Sequence, residues 1–144
     1  MKTFDDGATY LDEIQKLVPG HALFQELVVA TLVAHTPTDG VLGVVGPGPG
    51  SELVDLAHAL PGWSLEAIEP APAMAASACA RIREAGLDER IQVYPRPLQP
   101  EMGSWDAAVC ILVAHLIPDD GARAGFWSAL GTCVRPGGLL LTAE

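Results

Sequence analysis

The chain has 144 residues, 49% of them hydrophobic and 18% charged, with 8 Lys plus Arg against 18 Asp plus Glu and a formal net charge of -10. That length and composition fit one domain with a sizeable core and exclude disordered, collagen-like and disulfide-scaffold classes. The acidity argues against direct nucleic-acid binding, which needs clustered Lys and Arg against phosphates.

Mean hydropathy is slightly positive. The longest unbroken apolar run, residues 107–114, is still far short of the ~20 residues of a membrane span. Met1-Lys2-Thr3-Phe4-Asp5-Asp6 holds no apolar stretch, so neither membrane association nor a secretory signal is expected. Cys79, Cys110 and Cys133 form no CxxC pair. They read as buried free thiols in a cytoplasmic protein.

In chain order, residues 9–18 place Tyr10, Leu11, Ile14, Leu17 and Val18 at helical spacing, and Pro19-Gly20 ends that helix. Residues 21–36 form a second, mostly apolar helix, closed by a turn at 37–40. Residues 41–45 read as a buried strand running into glycines. Residues 51–60 are amphipathic, with Leu53, Leu56, Ala57 and Leu60 on one face and Ser51 as the expected N-cap. A second strand, 64–68, ends at Glu69. A helix over 72–85 has Pro72 in its first turn and Gly86 past its end. Residues 91–94 make a third short strand, after which Pro95, Pro97 and Pro100 forbid regular structure. Residues 105–114 read as a long central strand. A helix is expected over 119–134, with Asp119-Asp120 capping it. A sharp turn at 135–138 leads to a last strand, 139–143.

The pattern is a helical cover over 1–40, then β-α-β-α-β-loop-β-α-β over 41–144. It predicts an α/β fold: a mainly parallel sheet of about five strands with helices on both faces. Ligands in such sheets bind at the carboxyl ends of the strands, near the switch in strand order.

The most informative stretch is Val41-Leu42-Gly43-Val44-Val45-Gly46-Pro47-Gly48-Pro49-Gly50. Glycine lets backbone approach a ligand closely, and the helix that follows offers free N–H groups and a positive dipole end. No lysine follows, so it is not a P-loop, and GxGxG is not the GxGxxG dinucleotide fingerprint. Nineteen residues beyond Gly50 stands Glu69, where a carboxylate can accept both hydroxyls of a ribose.

Four segments in order resemble the class I S-adenosylmethionine-dependent methyltransferases. They are the glycine loop at 41–50, Leu65-Glu66-Ala67-Ile68-Glu69-Pro70 through Met74, Trp105-Asp106-Ala107-Ala108-Val109-Cys110 through Asp119, and Val134-Arg135-Pro136-Gly137-Gly138-Leu139. The resemblance implies a Rossmann-like methyltransferase fold. It implies S-adenosylmethionine as cofactor, held by Gly46, Pro47, Gly48, Gly50, Glu69, Pro70, Met74, Leu98 and Leu112, and a small-molecule acceptor. Phe4-Asp5 and Leu17-Val18-Pro19-Gly20-His21 resemble the N-terminal cover of the carboxy-S-adenosylmethionine synthase type, with His21 where that type has tyrosine.

Three positions depart from the family pattern. Val44 stands where an acid precedes the first glycine, and Pro97 stands where an Asp meets the adenine, leaving main-chain atoms of Leu98 for that role. The sequence ends at Glu144, so the C-terminal strand pair of the family is expected to be lacking. The last strand then has an open apolar edge suited to homodimer formation.

Methyl transfer is an in-line displacement that relies on alignment, and a base is needed only where the acceptor must lose a proton. His115 is the candidate base. His21 is read as a capping or surface residue that is also able to close over the site. No metal constellation is present. A non-catalytic methyltransferase-like binding or assembly module is the alternative function, favoured by Val44, Pro97 and the early end. A nicotinamide-dependent reductase fits poorly, because the Tyr-Lys pair for that chemistry is missing.

Overall fold

The structure, a computed structural model, describes residues 7–144; Phe4-Asp5 and the rest of residues 1–6 lie outside them. Helix α1 spans Gly7–Leu17 and α2 spans His21–His35, with a bend at Pro19-Gly20. There follow β1 (Gly40–Val45), α3 (Ser51–Ala59), β2 (Trp63–Ile68), α4 (Pro72–Glu84), β3 (Ile91–Tyr94) and β4 (Trp105–Ile111). A 3-10 turn (Ala114–Leu116), α5 (Ala122–Cys133) and β5 (Val134–Ala143) complete the described chain.

The five strands pair in parallel in the order β3-β2-β1-β4-β5, and no antiparallel pair occurs among the described residues. The chain winds outward from β1 to β3, returns to β4 on the other side, and ends at β5. The switch in direction therefore lies between the carboxyl ends of β1 and β4.

Strand alternation sends successive side chains to opposite faces. Leu42 and Val44, Leu65 and Ala67, and Ala107, Val109 and Ile111 face one core. There they meet Val28 and Leu32 of α2, Leu53 and Leu56 of α3, and Ala78 and Ile82 of α4. Val45, Ile68, Ala108 and Cys110 face the other core, against Trp105 and against Leu130 and Cys133 of α5. Helices thus cover both faces, as the α/β pattern requires. Gly43 makes room for the Trp105 ring, which would collide with any Cβ there. No single described helix is long and apolar enough to cross a membrane.

The structure corrects several boundaries. β4 stops at Ile111 rather than 114, because Leu112 turns to φ +56 and hands the chain to the 3-10 turn. β5 starts at Val134 rather than 139: Trp105 pairs with Val134, the register shifts, and Ala107 pairs with Leu139. Residues 135–138 are therefore a bulge inside the strand, not a turn before it. Asp106 pins it, accepting the Val41 N–H (2.7 Å) on one oxygen and pairing with Arg135 Nε (2.8 Å) on the other.

Ser51 is not the N-cap of α3. Gly50 takes that place at φ +84 with no side-chain cap, and a Cβ on it would lie 2.8 Å from Ala78 Cα in α4. Asp119-Asp120 precede α5 instead of opening it. Gly121 is its N-cap, and Asp120 accepts the Ala122 N–H at 3.1 Å. Cys79 is exposed, against the expectation of three buried thiols, while Cys110 and Cys133 are buried.

Candidate functional site

The β1–α3 loop crosses the sheet at the switch in strand order. Gly46 N–H donates to Ile68 O (2.8 Å), tying the loop to the end of β2. Gly48 N–H donates to Glu69 Oε2 and Ala71 N–H to Glu69 Oε1, both at 2.9 Å. Glu69 is only 6% exposed, so these two charge-assisted bonds offset its desolvation. A carboxylate has about four lone-pair sites, so each Glu69 oxygen keeps acceptor capacity beyond its backbone bond. Gly48 sits at φ +56, and among the described residues the atoms near the place a Cβ would take belong to the Tyr10 ring, at 3.9 Å.

Beside this loop lies a cavity of about 900 Å³. Its floor is Gly46 and Pro47 of the loop with Ile111 and Leu112 at the end of β4. One wall is the first turns of α3, with Ser51, Glu52 and Asp55; the other is α2, with His21, Gln25, Glu26, Val29 and Val33. Tyr10 of α1 completes the lining. The size suits a small molecule. Leu112 holds a left-handed backbone at its edge, the sort of local strain that collects at ligand sites.

Three titratable groups in the cavity are perturbed. Burial pushes the Glu52 carboxyl up to about 7, opposed by a hydrogen bond from Gln25 and aided by the charges of Glu69 and Asp55. Burial also raises the Tyr10 hydroxyl, with Glu52 and then Glu69 adding to the rise. The His21 imidazole is lowered by burial and is therefore neutral at pH 7.

The structure divides the residues named from sequence. Gly46, Pro47 and Leu112 line the cavity, and Gly48 and Glu69 are bonded to each other beside it. Gly50 packs α3 on α4 and faces no cavity. Pro70 is exposed after β2, Met74 is buried in α4 and Leu98 is half-buried against the β2–β3 end of the second core; none of the three lines the cavity.

His115 does not line it either. It is exposed in the 3-10 turn, its Nδ1 3.0 Å from Glu144 Oε2. Burial works against ionisation of Glu144, but the His115 and Ala114 N–H groups and the His115 ring together hold its carboxyl below the usual range. His21, read as a capping or surface residue, is buried and lines the cavity, and Gly20 occupies the cap position of α2.

Sequence reasoning passed over Glu52. An acid in the first turn after a glycine loop is usually explained by the helix dipole. What would have singled it out is its closure by α2, which no local pattern encodes. Val44 is wholly buried in β1, in the core shared with α2, α3 and α4.

A family model described as a methyltransferase domain matches residues 44–140. The chain belongs to that methyltransferase family. Sequence comparison with curated proteins finds no match. Among solved structures, this methyltransferase domain is similar to the StiE O-MT segment 961–1257, at 26% identity and TM-score 0.71, covering 85% of this chain and 44% of that one. It is also similar to a protein of Methanococcus maripaludis assigned to the S-adenosyl-L-methionine-dependent methyltransferases, at 20% identity and TM-score 0.76, covering 99% of this chain and 66% of that one. A third is a SAM-dependent methyltransferase from Geobacter sulfurreducens in complex with S-adenosyl-L-homocysteine, at 23% identity and TM-score 0.64, covering 81% and 47%. The last two likenesses carry the fold alone. The chain spans between 44% and 66% of the length of these three structures.

Proposed function

We propose that this methyltransferase domain binds S-adenosylmethionine and transfers its methyl group to a small molecule. One observation carries the reading. The glycine loop at the switch in strand order is clamped by Glu69 and opens directly onto a cavity of small-molecule size. The O-MT name of the StiE segment supports a small acceptor.

The residues present fit such a cofactor. Gly48 leaves main chain that a side chain would cover, and Glu69 retains acceptor sites for two neighbouring hydroxyls. Gly46, Pro47 and Gly48 would hold the cofactor against the loop, and Leu112 would bound it at the end of β4. Pro70, Met74 and Leu98 would stand on the base side, where Pro97 has no polar side chain. When bound, the cofactor supplies a methyl group activated by a sulfonium.

The protein's own contribution is to orient and to exclude water. α2 and Tyr10 close the cavity over the loop, and Val29, Val33, Ile111 and Leu112 give it apolar walls. Glu52 and His21 are the proton-handling groups inside it. Positioning of this kind carries most of the work in a displacement reaction.

Calorimetric titration with S-adenosylmethionine and S-adenosylhomocysteine tests the reading. Binding in the micromolar range, about -8 kcal/mol, is expected from the purified chain. Its absence by two methods would overturn the function.

A further inference from the structure

The cavity holds charge chemistry that methyl donation by itself does not call for. Glu26, Glu52 and Asp55 line it, and no Lys or Arg does among the described residues. His21 and His58 also line it, and burial keeps the His21 imidazole neutral at pH 7. Val29, Ala30 and Val33, on α2 with His21 and Glu26, and Leu112 at the end of β4 add apolar surface to the lining. A ligand bearing a carboxylate or phosphate would meet three carboxyl groups and no fixed cation. A ligand with a basic nitrogen on an apolar body matches both the acidic and the apolar lining.

We propose that the acceptor taken by this cavity is an amine with an apolar body, and that Glu52 is its ion partner and accepts one of its protons. The inference rests on the function proposed above and names its substrate class. In the proton step an ammonium N–H bond breaks and an O–H bond forms on a Glu52 carboxylate oxygen. The nitrogen keeps the bonding pair as a lone pair, and both groups become neutral. Burial of the carboxyl favours the neutral pair over the ion pair. Burial has already moved the Glu52 carboxyl to about 7, against the Gln25 hydrogen bond, so it holds a proton far better than a surface carboxylate. The lone pair is what a methyl acceptor must present.

Beside burial, the groups acting on its titration are Gln25 from α2, Glu69 after β2 and Asp55 from α3. Tyr10 from α1, His21 and Glu26 from α2 and His58 from α3 share the cavity lining with it.

The test uses phenethylamine and tryptamine as probes, with 3-phenylpropionate and indole-3-propionate as their carboxylate counterparts. Each is titrated calorimetrically into the whole chain with and without S-adenosylhomocysteine, for the native protein and for Glu52→Gln. We expect the amines to bind about tenfold or more tightly than the acids, and Glu52→Gln to weaken amine binding by about tenfold. S-adenosylhomocysteine is titrated into both chains by itself, so that any change in cofactor binding is read separately from the amine. Amine affinity should rise between pH 6 and pH 8, about the Glu52 value, and the variant should lose that slope.

Acids binding as tightly as amines, amines unaffected by Glu52→Gln, or no amine binding would each overturn the inference. Failure of S-adenosylhomocysteine to bind would instead strike the proposed function. The titrations of the unloaded chain would then decide the amine site by themselves. Because Gln keeps the size of Glu and removes a carboxyl that is costly to ionise, the variant is expected to fold.

Discussion

Glu69 and Glu52 stand on the two sides of one glycine loop and are used in opposite ways. Glu69, at the end of β2, is 6% exposed and receives a backbone N–H on each oxygen. Glu52, in the first turn of α3, faces a cavity, and burial lifts it to about 7 against a hydrogen bond from Gln25. A carboxylate given fixed main-chain donors becomes part of the frame. A carboxyl buried beside a cavity, with one amide bonded to it and other acids nearby, stays ready to exchange a proton.

The largest expected effect falls on the framed side. Glu69→Ala leaves the Gly48 and Ala71 N–H groups without their acceptor, and it should destabilise the fold by about 1–3 kcal/mol. It should also weaken S-adenosylhomocysteine binding by about a hundredfold, near 2.7 kcal/mol. Urea unfolding and calorimetry read the two effects. Unchanged affinity would mean that the loop, and not the carboxylate, does the holding.

Gly50→Val comes next. It places a side chain at φ +84 and within 2.8 Å of the Ala78 backbone, at a cost of about 2 kcal/mol or more. A denaturant midpoint equal to that of the native chain would show that α3 and α4 are not packed as described.

The cavity side responds in the other direction. Because the folded-state value of Glu52 lies above its unfolded value, the native state binds more protons between about 4.5 and 7. Stability from this group is therefore full at low pH and declines as pH rises through that window. Glu52→Gln should remove the decline and stabilise the chain at pH 8 by about 1–2 kcal/mol, allowing for solvent screening. A variant whose thermal midpoint follows the native pH curve would contradict the buried setting of Glu52.

The smallest effect is assigned to His115. His115→Ala should change stability by about 0.5 kcal/mol, as for exposed ion pairs, and leave S-adenosylhomocysteine affinity unaltered. The Glu144 carboxyl is held low by this neighbour, so the contribution should be present above its unfolded value and be lost as pH falls through the lowered folded-state value. A large loss of cofactor binding on this substitution would move the site away from the cavity and toward the β4–β5 end.

Much of the fold was legible because its signals are local. Apolar runs at 41–45 and 91–94, helical spacing at 51–60 and the Pro72 start of α4 depend on residues within a turn or two of one another. The boundaries that moved depend on distant partners. The bulge at 135–138 exists because Asp106 reaches both Arg135 and Val41. β4 ends where Leu112 N–H turns to Ala143 O at 2.8 Å. The site was legible in the same proportion. Glycine alternation and a carboxylate nineteen residues later marked Gly46, Pro47, Gly48 and Glu69. His21 and Glu52 came forward only when α2 closed on α3.

By itself the sequence determined the strand-and-helix order, the family, and the glycine loop that borders the cavity, since each follows from backbone preference and from residue types at short spacing. Tertiary structure decided which acids are frame and which are chemistry. Charge and spacing do not encode which carboxyl receives main-chain donors, and it is the N–H groups of Gly48 and Ala71 on Glu69, against the burial of Glu52 beside Gln25, that separate the two.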